Sequence, residues 1–315
     1  METGDGIVIR IDGGGHHVDL AGETLRCRVR GRLFRRTRET LLPKNPVAVG
    51  DQVRVARTAP GEGVIEEVHP RRTRLSRPAN DGTRREHLVA ANVDQALVVV
   101  SSHEPPIRYT LIDRVLIAAE RGGMKGVVCL NKIDLDIKGA VREQVAIYER
   151  IGYSVLYTSA TARQGLVSLR EALQGKTTVL AGHSGTGKSS LLNALLPGLS
   201  IRIAEVSEST GKGRHTTSSA SLLPLEFGGY VVDTPGFRAF GLSGVEAADV
   251  AIHYPEMRPY IDRCRFKDCL HLREPGCEVL AALERGDLSR LRHESYAKIV
   301  ESIKAGLEGE ERVSP

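Results

Sequence analysis

The chain has 315 residues, a net charge of +5 and 41% hydrophobic residues, which excludes an intrinsically disordered protein and leaves room for two or three domains. No apolar run approaches the ~18 residues of a membrane span, and the N terminus lacks signal-peptide features, so we expect a cytoplasmic protein with no membrane partner. The basic balance of charge suits a nucleic acid or another anionic partner.

Residues 1–70 are predicted to form a small closed β-barrel. Short segments rich in β-branched residues alternate there with turns made by glycine and proline, a pattern typical of small barrels. The predicted strands are Gly6–Ile11, His17–Leu20, Thr24–Leu33, Asp51–Ala56 and Gly63–Val68.

The third predicted strand is rich in arginine. Its arginines alternate with apolar residues, so a strand would place them together on one face. Six arginines lie within residues 28–38, a density that favours a nucleic-acid-binding face, although the alternation also fits a solvated strand face. The candidate RNA-binding residues are Arg28, Arg30, Arg32, Arg35 and Arg36.

From about residue 88, strands and helices alternate as in a doubly wound α/β domain, after an expected linker at Arg71–His87. The predicted strands are Gln95–Ser101, Gly126–Leu130, Ser154–Tyr157, Thr177–Ala181, Ala220–Leu225 and Tyr230–Val232. The predicted helices lie at about 110–121, 140–151, 165–173 and 188–196. After Gly241 only helices are predicted, at about 245–254, 278–285 and 287–304.

Gly182–Ser189 matches the pattern G-x-x-x-x-G-K-[ST] between an apolar strand and a helix, the context of a phosphate-binding loop. Backbone N–H groups would surround the phosphates, Lys188 would reach the β- and γ-phosphates, and Ser189 would ligate Mg²⁺. The candidate nucleotide-binding residues of this loop are Gly182, His183, Ser184, Gly185, Thr186, Gly187, Lys188, Ser189 and Ser190.

A second motif indicates that the base is guanine. Asn131, Lys132, Ile133 and Asp134 follow a predicted strand. The Asp134 carboxylate offers two acceptors for the N1–H and exocyclic amine of guanine, a donor pair that adenine lacks. Ser159-Ala160 after the next strand completes the pattern of a GTP site.

Two further segments are predicted to contact the γ-phosphate and Mg²⁺. Asp233 would support Mg²⁺ and the Gly236 N–H would contact the γ-phosphate. In the glycine-rich segment before them, Thr216 or Thr217 would close on Mg²⁺ and the γ-phosphate, with Thr217 taken as the Mg²⁺ ligand.

The catalytic group is less well marked. Phe237 stands where many GTPases carry a glutamine that orients the attacking water. His215 is the candidate general base, and its alternatives are a solvent-facing side chain or a contact to RNA phosphate. We therefore expect slow turnover by the isolated chain.

The order of these motifs is unusual, because the base-recognition motifs precede the phosphate loop. This order predicts a circularly permuted P-loop GTPase domain, whose last switch element leads directly into the C-terminal segment. That segment contains Cys264, Cys269, His271 and Cys277, three thiols and an imidazole at a spacing that fits one tetrahedral structural Zn²⁺.

With these residues together, the chain closely resembles the small-ribosomal-subunit biogenesis GTPases, the RsgA family. The resemblance covers nearly the whole chain: the basic barrel, Asn131–Asp134, Ser159-Ala160, Gly182–Ser190, Gly213–Thr217, Asp233–Gly236 and Cys264–Cys277. It implies a cytosolic GTPase that binds the small (30S) ribosomal subunit and its rRNA near the decoding region. It also implies slow hydrolysis of GTP to GDP and phosphate, with stimulation by the subunit.

The expected fold class is therefore a multidomain α/β protein. We expect an N-terminal OB-fold β-barrel that binds RNA (residues 1–72), the permuted GTPase domain (73–242) and a helical zinc-binding domain (243–315), acting as a monomer. Other permuted or assembly GTPases often carry an asparagine that helps hold K⁺ at the position of Gly185, so the sequence leaves K⁺ activation open.

Two alternative functions stay open at this point. One is an RNA-binding scaffold switched by GTP, in which turnover is incidental. The other is a metabolic P-loop kinase or ligase, which would need an acceptor pocket. The sequence offers no additional Asp/His cluster beside Gly182–Ser189 to build one.

Overall fold

The computed structural model describes residues 2–13, 15–31, 33, 46–78, 86–196, 220–233, 242 and 244–306, with the backbone alone at residues 77, 78, 86, 87 and 233. In this part of the chain, no helix is both long and apolar enough to cross a membrane.

The N-terminal residues form the predicted barrel. Its strands are β1 (Thr3–Asp12), β2 (Gly15–Leu20), β3 (Glu23–Val29), β4 (Gln52–Ala59) and β5 (Glu62–Val68). They are ordered β1-β2-β3-β5-β4, and β4 pairs back onto β1, so the sheet closes. β3 and β5 are parallel and the other pairs are antiparallel. The third strand ends four residues earlier than predicted.

Part of the segment expected to be a linker, Arg71–His87, instead forms β-strand. β6 (Arg74–Pro78) pairs with β7 (Glu86–Ala91), so the prediction was wrong for these residues. Leu75 and Ala90 are buried and belong to the hydrophobic core of the α/β domain. The exposed Arg74 next to Leu75 belongs to the alternation of a half-buried strand, and the high basic content of the segment obscured that alternation.

The six strands predicted after residue 88 form one twisted sheet. They are β8 (Gln95–Ser101), β9 (Lys125–Asn131), β10 (Ser154–Tyr157), β11 (Thr177–Ala181), β12 (Ser221–Pro224) and β13 (Tyr230–Asp233). Their order is β10-β9-β8-β11-β13-β12, and only β12 runs antiparallel to its neighbour β13. A parallel sheet of this kind brings the carboxyl ends of its strands to one edge.

Helices cover both faces of this sheet. They are α1 (Tyr109–Arg121), α2 (Ala140–Arg150), α3 (Leu166–Leu173) and α4 (Lys188–Leu195). The apolar faces of α1 and α2 pack on one side, with Val98 and Val100 of β8. Those of α3 and α4 pack on the other, with Leu97 and Val99. β8 is buried along its whole length, which explains its continuous apolar run.

The barrel and the sheet are joined through β12. β1 pairs with β12 at Arg10 and Ser221, so both belong to one continuous sheet. The Tyr230 hydroxyl of β13 donates to an Asp19 carboxylate oxygen of β2 at 3.2 Å.

The C-terminal residues pack as a small helical unit. Its helices are α5 (Arg258–Ile261), α6 (Glu278–Arg285) and α7 (Arg290–Lys304). The helix predicted at about 245–254 is replaced by two 3₁₀ turns, Ala247–Asp249 and Ala251–His253. Tyr254 precedes Pro255 and is extended, as the residue before a proline usually is, which prevents a longer helix there.

Candidate functional site

The predicted phosphate loop joins β11 to the N terminus of α4. Gly182, Gly185 and Gly187 have φ values of 137°, 81° and 90°, which only glycine adopts readily. A Cβ at Gly182 would lie 2.2 Å from the Val99 carbonyl oxygen, so no side chain fits there. The glycines thus allow the tight turn that directs backbone N–H groups toward an anion at the helix N terminus.

Lys188 begins α4 and folds back over the loop. Its Nζ donates to the carbonyl oxygens of Gly182 and His183, both at 2.7 Å. Burial lowers the pKa of Lys188, so an anion at this position would favour its charged form. Thr186 is buried and its hydroxyl donates to the His183 carbonyl oxygen at 2.9 Å, which braces the loop from behind.

Asn131, at the end of β9, ties the base-recognition motif to the phosphate loop. Its side chain is 1% exposed. Its Nδ2 donates to the Thr186 carbonyl oxygen at 2.9 Å, and its Oδ1 accepts from the Thr158 hydroxyl at 3.2 Å. The same amide sits 2.3 Å from where a Cβ on Gly187 would lie. The two motifs, far apart in sequence, therefore form one site.

Lys132 and Asp134 continue the base-recognition loop. Lys132 has a left-handed backbone with φ of 62°, and its Nζ donates to the Glu104 carbonyl oxygen. Asp134 lies in the exposed 3₁₀ turn Ile133–Leu135. Among the described residues, no protein group hydrogen-bonds to the Asp134 carboxylate, which leaves both its oxygens available to a ligand.

Ser159 and Ala160 follow β10, the strand next to β9. The Ser159 hydroxyl accepts from the Ala162 N–H at 2.9 Å, and its backbone exchanges two hydrogen bonds of 3.0 Å with Gln164. This turn is held at the same edge of the sheet as Asn131. Asp233 ends β13 beside the strand that carries the phosphate loop, so its backbone also lies at that edge.

Several predicted site residues lie outside the described residues: His215, Thr216, Thr217, Gly236, Phe237, Arg32, Arg35 and Arg36. Of the predicted RNA-binding arginines that are described, Arg28 is exposed on β3. Arg30 follows the strand and forms a 2.5 Å ion pair with Glu66 of β5. Among the described residues, the charge of Arg30 is therefore partly neutralised, unlike that of Arg28.

The structure brings the four predicted metal ligands together. Their donor atoms all lie within 4.8 Å of one another. Sγ of Cys264 is 3.8 Å from that of Cys277, and the two sulfurs are 3.4 and 3.5 Å from His271 Nδ1. A tetrahedral ion with Zn–S of about 2.3 Å and Zn–N of about 2.0 Å would separate these pairs by about 3.8 and 3.5 Å. The cluster can therefore bind a metal ion.

The loop that carries these ligands has supporting residues that the sequence did not reveal. The Glu274 carboxylate accepts the N–H groups of Leu270, Leu272 and Arg273 at 2.8–3.0 Å. Although partial burial opposes the shift, these N–H groups lower the pKa of Glu274. The Tyr296 hydroxyl of α7 donates to the Leu270 carbonyl oxygen at 2.8 Å. In the sequence, the only indication of this support was the position of Glu274 between the predicted ligands His271 and Cys277.

In the nucleotide site, the sequence indicated no role for Ser102 and none for the hydroxyl of Thr158, although Thr158 precedes Ser159 in the predicted motif. The Thr158 hydroxyl holds Asn131, and Ser102 donates from its N–H to the Asn131 carbonyl oxygen at 3.0 Å and from its hydroxyl to that of Lys132. Both follow predicted strands that end at the edge of the sheet where ligands bind, and that position was a usable signal.

The sequence matches models of known protein families. The sequence model of a family described as RsgA GTPase matches residues 68–243, and one described as RsgA N-terminal domain matches residues 5–65. The chain belongs to the RsgA GTPase family. It is therefore an enzyme that hydrolyses GTP, and the family implies the use of Mg²⁺.

Two relatives and one solved structure match this chain over nearly their whole length. Proteins called small ribosomal subunit biogenesis GTPase RsgA from Moorella thermoacetica and Gemmatimonas aurantiaca are each 42% identical, over 96% and 95% of this chain and 98% and 97% of theirs. The crystal structure of YjeQ from Thermotoga maritima is 35% identical with a TM-score of 0.76, covering 96% of this chain and 98% of that one.

A second solved structure bears on the order of the motifs. YloQ, described as a circularly permuted GTPase, is 31% identical with a TM-score of 0.73, covering 96% of each chain. The present chain, a member of this family, has the same circularly permuted fold as YloQ. The predicted fold class, with an N-terminal barrel, a permuted GTPase domain and a C-terminal metal-binding cluster, is confirmed.

Proposed function

We propose that this GTPase binds the small (30S) ribosomal subunit and its rRNA in the cytoplasm and assists late maturation of the subunit. GTP is hydrolysed to GDP and phosphate, and contact with the subunit accelerates the reaction. The observation that carries the proposal is the match over 96% of the chain to a relative named as a small ribosomal subunit biogenesis GTPase.

We assign the guanine base to Asn131–Asp134 with Ser159 and Ala160, and the phosphates to Gly182–Ser190. Support comes from the uncommitted Asp134 carboxylate and from the glycine-dependent turn that Lys188 covers. Ser189 and Thr217 would ligate Mg²⁺, which neutralises charge on the phosphates when bound. Asp233, Thr216 and Gly236 would complete the γ-phosphate side.

His215 is our candidate for the group that orients or deprotonates the attacking water. Phe237 has no group that can do so. His215 lies in the segment 211–217, which contains two glycines and two threonines. An order imposed on that segment by the subunit would bring the imidazole within hydrogen-bond reach of the water. Slow turnover by the isolated chain follows from the same reasoning. We propose separately that the chain acts as a monomer.

We assign RNA contact to the barrel and metal binding to the C-terminal unit. The proposed domains are the barrel (1–72), the GTPase domain (73–242) and the zinc-binding domain (243–315). Arg28, Arg30, Arg32, Arg35 and Arg36 are the candidate RNA-binding residues, supported by the exposure of Arg28. The separations among Cys264, Cys269, His271 and Cys277 favour a structural Zn²⁺ held by all four side chains, with no position left for a substrate.

Single-turnover GTP hydrolysis, measured alone and with saturating small or large ribosomal subunits, tests this function. We expect acceleration by small subunits only. A protein that binds small subunits without any acceleration would instead be a GTP-switched scaffold, and one that ignores small subunits would refute the proposal.

A further inference from the structure

Arg292 of α7 is a charged side chain buried at the boundary between the C-terminal unit and the nucleotide-binding domain. It is 2% exposed and forms an ion pair with Asp113 of α1, which is 1% exposed. Its Nε also donates to a Glu256 carboxylate oxygen at 2.7 Å. Burial opposes the charge, yet the two carboxylates raise the pKa of Arg292 well above its ordinary value, so the guanidinium stays protonated.

Two tyrosines complete what we call the Arg292 cluster: Asp113, Tyr148, Tyr254, Glu256 and Arg292. The hydroxyls of Tyr148 and Tyr254 donate to the two Asp113 carboxylate oxygens at 2.8 and 3.1 Å. The guanidinium lies over both rings, 5.0 and 4.3 Å from their centroids. Since removing one partner would leave a charge buried and unpaired, the cluster holds its members in one arrangement.

Through Tyr148, the cluster joins α1 to α2. These two helices begin where the loops of the guanine side end, because α1 follows residues 102–108 and α2 follows residues 132–139. The Tyr109 hydroxyl of α1 also donates to Gln144 Oε1 of α2 at 2.6 Å, nearer their N termini. The relative position of the helices therefore sets the relative position of the loops.

The two loops are in turn bonded to each other. Ser102 donates to the carbonyl oxygens of Asn131 and Lys132, and Lys132 Nζ donates to that of Glu104. The Asp136 carboxylate accepts the Arg142 N–H of α2 at 2.9 Å. A continuous set of contacts thus leads from α7 to the residues assigned to the base.

We propose that Arg292 is a positioning residue for guanine-nucleotide binding, which anchors Asp113 and thereby holds α1, α2 and the base-recognition loop in the binding arrangement. The proposal rests on the assignment of Asn131–Asp134 to the guanine base. Coupling between two sites is reciprocal, so a bound guanine nucleotide must also stabilise the docking of α7.

The test measures the dissociation rate of a fluorescent GDP analogue by stopped flow for Arg292→Gln and Tyr148→Phe. Tyr148→Phe keeps the ring and removes one buried hydrogen bond, so we expect about fivefold faster dissociation. Arg292→Gln should accelerate GDP dissociation more than tenfold, within the range of about 5–150-fold usual for coupled sites. KM for GTP should rise by similar factors while kcat at saturating GTP changes less than about twofold.

Arg258→Gln is the matched control, because Arg258 binds Glu120 of α1 at 2.6 Å on the exposed side of the same boundary. It should leave dissociation at the parent rate. Addition of GDP should slow hydrogen exchange of residues 290–304 in the parent. The same addition should slow it less in Tyr148→Phe.

Parent-like GDP dissociation in a folded Tyr148→Phe, absence of GDP-dependent protection in 290–304, or an equal effect of Arg258→Gln would overturn the proposal. Asp134→Asn separates this outcome from a wrong site assignment. If Asp134→Asn also left GDP affinity unchanged, the base would bind elsewhere, whereas lost affinity in Asp134→Asn with unchanged Tyr148→Phe and Arg292→Gln would reject only the role of the Arg292 cluster.

Discussion

Replacing Asn131 with alanine tests whether the base-recognition motif and the phosphate loop act as one site. The substitution removes the acceptor of the Thr158 hydroxyl and the donor to the Thr186 carbonyl oxygen. Thr158 is 0% and Thr186 3% exposed, so water does not readily replace the lost partner. In the site proposed above, the nucleotide would span both loops, so binding would require the relative position of the loops that Asn131 maintains.

The size of the effect follows from these two contacts. A buried polar group left unsatisfied costs about 1–3 kcal/mol. The Thr158 hydroxyl keeps Cys129 Sγ at 3.3 Å as a weak partner, so its share lies at the lower end. The sum is about 2–4 kcal/mol, and GDP affinity should therefore fall roughly 30- to 700-fold if the whole cost opposes binding.

Isothermal titration of nucleotide-free protein with GDP measures this change. Thr158→Val is the control, because it keeps the side-chain shape and leaves the Asn131–Thr186 bond in place; its affinity should fall only about fivefold. A folded Asn131→Ala protein with GDP affinity within about twofold of the parent would refute the idea that this amide couples the two loops.

The remaining predictions address the base, the metal, catalysis and RNA. Asp134→Asn should weaken GTP binding by several kcal/mol and reduce the preference over ATP, measured by competition; an unchanged preference would reject Asp134 as the guanine reader. Cys269→Ser should lower zinc content below one ion per chain by elemental analysis, and full content would show that Cys269 is not a ligand. His215→Ala should lose most of the subunit-stimulated rate but retain GTP and subunit binding, and a parent-like single-turnover rate would remove it from the mechanism. Replacing Arg28, Arg30 and Arg32 together with glutamine should weaken subunit binding and reduce the slope of log affinity against log salt by roughly 0.7–0.9 per lost phosphate contact, whereas an unchanged slope would place the RNA face elsewhere.

Local patterns in the sequence determined much of the fold and the candidate site. The phosphate loop could be predicted because its glycines, Lys188 and the helix N terminus act within one short stretch, so spacing alone defines their geometry. The same holds for Cys264–Cys277, whose ligands close a single loop. The buried strand Gln95–Ser101 was recognised with its observed bounds, because a central parallel strand is apolar on both faces.

Boundaries were less predictable where neighbouring structure decides between alternatives. Residues 74–78 and 86–91 form a hairpin because Leu75 and Ala90 find a core to cover, a fact that their basic neighbours did not indicate. Propensity favoured one helix at about 245–254, but two 3₁₀ turns form before Pro255.

Only the tertiary structure could pair residues that are distant in sequence. Asn131 meets Thr186 across 55 positions and Arg292 meets Asp113 across 179, and neither pair has a spacing that a pattern can encode. Arg292 reads as an ordinary surface arginine in a helix of mixed polarity until packing buries it against two carboxylates and two aromatic rings. The identity of each side chain is local information, whereas its burial and its partner depend on the packing of whole elements. The residues of the candidate site could therefore be proposed from the sequence, whereas the contacts that connect them to the C-terminal unit could not.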